Sequence, residues 1–311
     1  MNSRYYINAV VFPLDGKHVV SGGKEGRIRR WCVEDGKEVG TPMDAGSAVL
    51  NIAVSRDEKL IVSGEESGQV MVWNAETHSK VTEFKAHEHP MYAVGVSPDS
   101  TRIVTGSDDH TVCVWSLSTG ERLLGPLEHT YELVGAKFSP DGRLIATATW
   151  ERDSVRVYDS QNGDLLVDFP VQVNSLYHQS LAWASDGKKL LALSKDGYIH
   201  HFDASGTTVL SKWRIHSNDD SDVKCVALAG NGTFIAASAR SSVSLWDTTT
   251  REQIGAVIEY THDIWCMAMS SNYDLVAGGE KKLTLRALCD VVPSHYVGDV
   301  SVPAYRRRKN W

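Results

Sequence analysis

Several large protein classes are excluded by what this chain lacks. Its five cysteines (32, 113, 225, 266 and 289) are odd in number and form no Cys-x-x-Cys pair. A disulfide framework and a zinc ribbon are therefore both disfavoured, and a reduced cytoplasmic or nuclear setting is expected, with Cys113 and Cys266 serving as small core residues. No apolar run approaches the ~20 residues of a membrane span. Met1, Asn2, Ser3 and Arg4 open no apolar signal-peptide core. Neither Gly-x-Gly-x-x-Gly nor a P-loop occurs, so dinucleotide and NTPase sites have no support. No stretch of useful length shows helical periodicity. Basic residues are the minority, 32 against 39 acidic, for a net charge of −7. Four of them cluster at Arg306, Arg307, Arg308 and Lys309, which leaves the body more acidic still and argues against nucleic-acid binding by the whole surface. That short basic tail, residues 301–311, reads as a solvated terminus. What the chain does have is 42% hydrophobic residues and nine tryptophans in 311 residues, enough to bury about 75% of the unfolded surface without a staple.

Length alone gives a prior of two domains, and self-similarity overrides it. An apolar residue precedes a Ser-Pro-Asp-Gly-like turn at Phe12, Val54, Val96, Phe138, Trp183, Leu228 and Met269, at intervals of 42, 42, 42, 45, 45 and 41. The turn is clearest at Ser97-Pro98-Asp99-Ser100 and Ser139-Pro140-Asp141-Gly142. A later alternating run ends at Trp31, Trp73, Trp115, Tyr158, Phe202, Trp246 and, without an aromatic, Arg286. Period-2 alternation such as Val70-Met71-Val72-Trp73, bounded by turn residues, reads as strand. About four short strands per ~42 residues, seven times over, predict an all-β, seven-bladed β-propeller of four-stranded antiparallel blades. The repeats fall near 5–46, 47–88, 89–130, 131–174, 175–217, 218–260 and 261–300.

These repeats resemble the WD-repeat family over nearly the whole chain, in the style of fungal WD-repeat arrays. The name-giving dipeptide survives at Trp246-Asp247, with Tyr158-Asp159 and Phe202-Asp203 as near matches. The resemblance implies a buried polar network in some blades, and repeat three supplies every member of it: His87, Thr105, Asp109 and Trp115. A buried Asp is tolerable only when donors surround it. Elsewhere the set is eroded: Ser21, Glu25 and Trp31 in repeat one, Ser63, Ser67 and Trp73 in repeat two, and His129 with Tyr158 in repeat four. The resemblance also implies a ring closed by an outer strand for the last blade. The first strand starts near Ile7 with no room for one before it, so His295–Val300 is expected to supply it, the alternative being an open edge that a partner strand completes.

No residue set demands catalysis, and no cofactor or metal is implied. Adjacent strand residues such as His200 and His201 point to opposite faces, and Asp219-Asp220-Ser221-Asp222 lacks the spacing of a calcium loop. The expectation is a non-catalytic interaction platform, monomeric by itself and away from membranes, that binds a protein or peptide. Resemblance to members such as heterotrimeric G-protein β subunits implies binding on the narrow face, at positions four and six before each anchor and beside the turn between strands two and three. Read onto this sequence, the candidates are Tyr6, Glu66, Tyr92, Asp108, Glu132, Tyr177, Asp263 and Trp265. Aromatics among carboxylates suit a basic segment. The competing class is a small-ligand or enzymatic propeller working through its central channel.

Overall fold

The computed structural model describes residues 6–150, 155–169, 181–194, 197–206, 209–215, 223–229 and 232–297. Seven sheets follow one another along the chain, each antiparallel and each with its strands in sequence order. The innermost strands are Ile7–Val11, Val49–Val54, Met91–Val96, Leu133–Phe138, Leu181–Trp183, Val223–Leu228 and Ile264–Met269. They neighbour one another in that order, and the seventh lies against the first. Seven blades around a closed ring is the architecture predicted.

The core is divided in a way the strand patterns explain. Seven hydrophobic clusters occur, each shared by two adjacent blades. Successive side chains of a strand face opposite ways. Ile61 therefore joins the cluster between blades one and two, and Val62 the cluster between blades two and three. Ile103 and Val104 divide in the same manner on either side of blade three. With both faces covered, the middle strands read as unbroken apolar runs.

The Ser-x-Asp turns lock the inner strand to the second. In blade two, Ser55 Oγ donates to Asp57 Oδ1 at 2.6 Å and accepts from the Leu60 N–H at 2.9 Å. Blade four repeats this with Ser139, Asp141 and Leu144 at 2.6 and 3.0 Å. The side chains thus supply the hydrogen bonds that a tight turn leaves unmade.

Ring closure differs from expectation. Six blades have four strands, but among the described residues blade seven has three, ending at Leu283–Ala287. Ser294–Val297 is a turn of α-helix where a fourth strand was expected, and residues 298–300 lie outside the described part. Pro293 has no N–H to give a ladder and fixes its own φ. Leu288 and Val292 are buried with the blade-six core, and the Tyr296 ring meets Phe234 edge-on at 6.1 Å. The segment therefore covers the groove between blades six and seven. The closure itself is face packing: Ile7, Val10, Val19 and Trp31 share a cluster with Cys266, Val276 and Leu283.

Gly279 marks how tightly the first two strands of blade seven are packed together, because a Cβ there would collide with the Asp263 carbonyl oxygen. Gly279→Ala forces the backbone of blade seven apart and should cost about 1–3 kcal/mol, read as a lower urea midpoint. An unchanged midpoint would show that the backbone at Asp263 yields freely.

Candidate functional site

The candidate residues gather at the end of the ring that carries the turns between second and third strands. Lys24 N–H donates to Tyr6 O at 3.0 Å, Glu66 N–H to Ala48 O at 2.9 Å, Asp108 N–H to Pro90 O at 2.9 Å, and Trp150 N–H to Glu132 O at 2.9 Å. The same bond recurs every 42 residues and ties each turn to the start of the adjacent inner strand. In blade four the turn position beside Glu132 is thus Trp150. The unbroken spacing 24, 66, 108, 150 carries the signal that would have found it.

Each of these inner strands then breaks its ladder once. Pairing runs from Ile7 to Ala9, from Val49 to Asn51, from Met91 to Ala93, from Leu133 to Gly135 and from Ile264 to Cys266. The residues left out are Asn8, Leu50, Tyr92, Val134 and Trp265. A β-bulge bends the strand and re-aims the extra side chain. Here it takes one position in each of five blades out of the inter-strand register, and two of the five are candidate aromatics.

Two pairs of candidates are brought together. Tyr6 and Trp265 stack across the seam between blades seven and one, with centroids 4.7 Å apart and planes within 4°. Asp263 stands two residues before Trp265, half-buried. On the other side of the ring, Asp108 is half-buried at the end of blade three beside Glu132 of blade four. Burial raises the Asp108 carboxyl above its usual range and the Glu132 charge raises it further, while His89 and His110 pull it back down. Two carboxylates sharing a partly desolvated spot favour a cation between them. Tyr92 is half-buried, and its carbonyl accepts Asn51 Nδ2–H at 2.9 Å. Glu66 is exposed on its own turn in blade two. Tyr177 lies outside the described residues, as do Asp219–Asp222 and Arg306–Lys309. His89 and His110 were not candidates from sequence. His110 stands two residues after Asp108, a cue available in the sequence, whereas His89 is 19 residues earlier and is brought near by the bond from Asp108 N–H to Pro90 O.

Below this end, the four side chains of blade three form a continuous chain. His87 Nδ1 is 2.8 Å from Asp109 Oδ2, His87 Nε2 is 2.7 Å from Thr105 Oγ1, and Trp115 Nε1–H donates to Thr105 Oγ1 at 2.8 Å. Because the carboxylate only accepts, Nδ1–H is assigned as its donor, and Nε2 then accepts the threonine hydroxyl. Burial by itself would raise the Asp109 carboxyl. The bonds from His87 and Thr111 outweigh it, with the His87 charge at acid pH, and bring it to about 2. Blade four keeps a shorter version, with His129 Nε2 at 3.0 Å from Thr147 Oγ1 and 3.2 Å from the Tyr158 hydroxyl.

A closed seven-bladed ring with bulged inner strands and a turn-bearing end rich in carboxylates and aromatics is a WD-repeat-type propeller. Within that class, the chain belongs to the IFT122 first beta-propeller family, whose model matches residues 6–288. No curated protein matches the chain. Propellers of this type are commonly non-catalytic protein-interaction scaffolds. Among the described residues no group of three or more His, Cys, Asp or Glu could hold a metal ion, and no helix is long and apolar enough to cross a membrane.

Proposed function

We propose that the chain is a scaffold that binds a basic protein or peptide segment at the turn-bearing end of the ring. Asp108 and Glu132 pair with an Arg or Lys of the partner, and Tyr92 and the Tyr6–Trp265 stack offer aromatic surface to apolar or cationic side chains. The observation that carries this reading is the half-buried Asp108 beside Glu132, where burial first and the neighbouring carboxylate second hold the aspartate carboxyl up. A partner cation relieves the repulsion between the two, so binding strengthens with pH across the carboxylate range.

The test is a library of ten-residue peptides containing two Arg or Lys, with Asp- and Glu-containing peptides of the same length as reference. The wild-type chain should prefer basic members. A double variant, Asp108→Asn with Glu132→Gln, should bind its best ligand at least tenfold more weakly, since charge-assisted hydrogen bonds are worth roughly 1.5–3 kcal/mol each. Glu76→Gln, exposed on a turn at the opposite end, should change nothing. Equal binding of acidic and basic peptides by the wild type, or unchanged affinity in the double variant, would overturn the proposal. So would unchanged affinity after Tyr92→Ala combined with Trp265→Ala.

A further inference from the structure

The residue just before each apolar anchor is the same in kind around most of the ring: Val11, Ala53, Gly95, Ala182, Ala227 and Ala268. The exception is Lys137 in blade four. All seven positions line the central channel, which holds two cavities of about 280 and 300 Å³. Lys137 and Ala268 border both. Six small or short apolar side chains thus leave a space into which one long cationic side chain is placed.

That cation has no counter-charge among the described residues. The inner strands Ile7–Val11, Val49–Val54, Met91–Val96, Leu181–Trp183 and Ile264–Met269 contain no Asp, Glu, Lys, Arg or His. Leu144–Thr149, paired with the Lys137 strand, contains none either. Among the described residues, the one other charged residue on an inner strand is Lys224, also a cation, whose side chain is outside the described part. Titratable groups of other kinds on these strands are Tyr92, Cys225 and Cys266, and both thiols are buried in cores between blades. Among the described residues, the Lys137 amine makes no hydrogen bond or ion pair. The strand beneath it is nonetheless held in place, since Trp183 Nε1–H donates to Lys137 O at 3.3 Å.

We propose that the central channel is a binding site for a small monocarboxylate with an apolar body, its carboxylate paired with Lys137 and its body against the alanine, valine, methionine and tryptophan walls. One cation matches one negative charge. The walls offer no arginine fork or hydroxyl cluster of the kind that a phosphate dianion requires. Their apolar character suits a hydrocarbon body, as in most small-molecule sites. Desolvation holds the Lys137 ammonium down to about 8. A bound carboxylate would restore its charge, so binding takes up a proton near that pH and weakens above it. This site is independent of the peptide-binding end of the ring, and either can fail without the other.

The experiment titrates the full chain with hexanoate, hexylamine and inorganic phosphate by calorimetry at pH 7 and pH 9.5. The same titrations are made on Lys137→Met, which keeps the length of the side chain and removes its charge. Hexanoate should bind the wild type at least tenfold more tightly than hexylamine or phosphate do, lose at least tenfold in affinity in Lys137→Met, and bind more weakly at pH 9.5. If Lys137→Met does not fold, lysine methyl resonances of the reductively methylated wild type provide the second readout. One lysine should titrate well below the rest, and hexanoate should move that one upward. Equal affinity in Lys137→Met, equal affinity for phosphate or hexylamine, no hexanoate binding at 10 mM (roughly the −3 kcal/mol range), or no lysine moved by hexanoate would each overturn the proposal.

Discussion

Replacing Asp109 with alanine is expected to remove about 3–5 kcal/mol of stability, through the loss of two hydrogen bonds to an ionised carboxylate at roughly 1.5–3 kcal/mol each. The His87 side chain is 1% exposed and that of Asp109 19%, so water cannot easily replace the lost acceptor. His87 Nδ1 loses its 2.8 Å partner, and the Thr111 hydroxyl loses the Oδ1 to which it donates at 2.6 Å. The loss passes through His87 to Thr105 and Trp115, because each group in the chain orients the next. His87→Ala should be costly for the same reason, and the double variant should cost well below the sum of the two, with a coupling of roughly 1–3 kcal/mol. Ser67→Ala is the matched control. It stands 42 residues earlier, in a blade with Ala45 at the histidine position, and should cost about 1 kcal/mol or less. Urea unfolding followed by tryptophan fluorescence reads all four. The acid limb gives a second reading. The folded carboxyl is depressed to about 2 from its ordinary 3.8, so its contribution is present in full above about pH 4 and disappears as pH falls towards 2. Asp109→Ala should lack that part of the acid transition. An unchanged midpoint would mean that blade three does not depend on the network.

The repeat made the fold legible because a blade has no core of its own. Each must bury both faces against its neighbours, so the same strand pattern has to return every ~42 residues. Phe12 through Met269 report that return even where the Trp-Asp dipeptide is lost. Ring closure was not legible in the same way. Nothing in the alternation of residues 295–297 distinguishes a strand from a covering segment; Pro293 is a local cue against a ladder, and the deciding fact is tertiary, a place for Tyr296 against Phe234. The turn-bearing end was partly legible. The positions implied by the resemblance include Asp108, Glu132 and Trp265, but nothing in the sequence marks the bulge that takes Tyr92 and Trp265 out of the ladder, since a bulge leaves no residue-type signature at positions as different as Asn8, Leu50 and Val134. Lys137 was in plain view one residue before Phe138, and it became informative only once the other six inner strands were seen to place small or apolar residues beside it.

Glu65 gives the second large effect, with the opposite sign to Asp109. It ends the second strand of blade two, 1% exposed, at the position where blade three has Ser107 and blade four Thr149. Ser67 Oγ donates to Oε2 at a long 3.3 Å, and Oε1 has no partner among the described residues. Burial pushes this carboxyl up to about 8; the Ser67 bond pulls it down slightly, and the nearby Glu83 charge pushes it up. The folded state therefore keeps a proton that the unfolded chain releases near 4.5. Its stabilising effect is complete below about pH 4.5 and is lost as pH rises towards 8. At pH 7 the difference amounts to roughly 3 kcal/mol against folding, taking ~1.4 kcal/mol per unit. Glu65→Gln keeps the shape and removes the titration. It should leave stability at pH 4.5 nearly unchanged and raise it by about 4 kcal/mol at pH 8. Urea midpoints of wild type and variant, measured from pH 4.5 to pH 8.5, should diverge steadily as pH rises. Parallel curves would place the carboxylate in contact with water or a cation. Divergence would identify a single residue at which this propeller gives up stability, in the blade whose Ala45 leaves the network histidine absent.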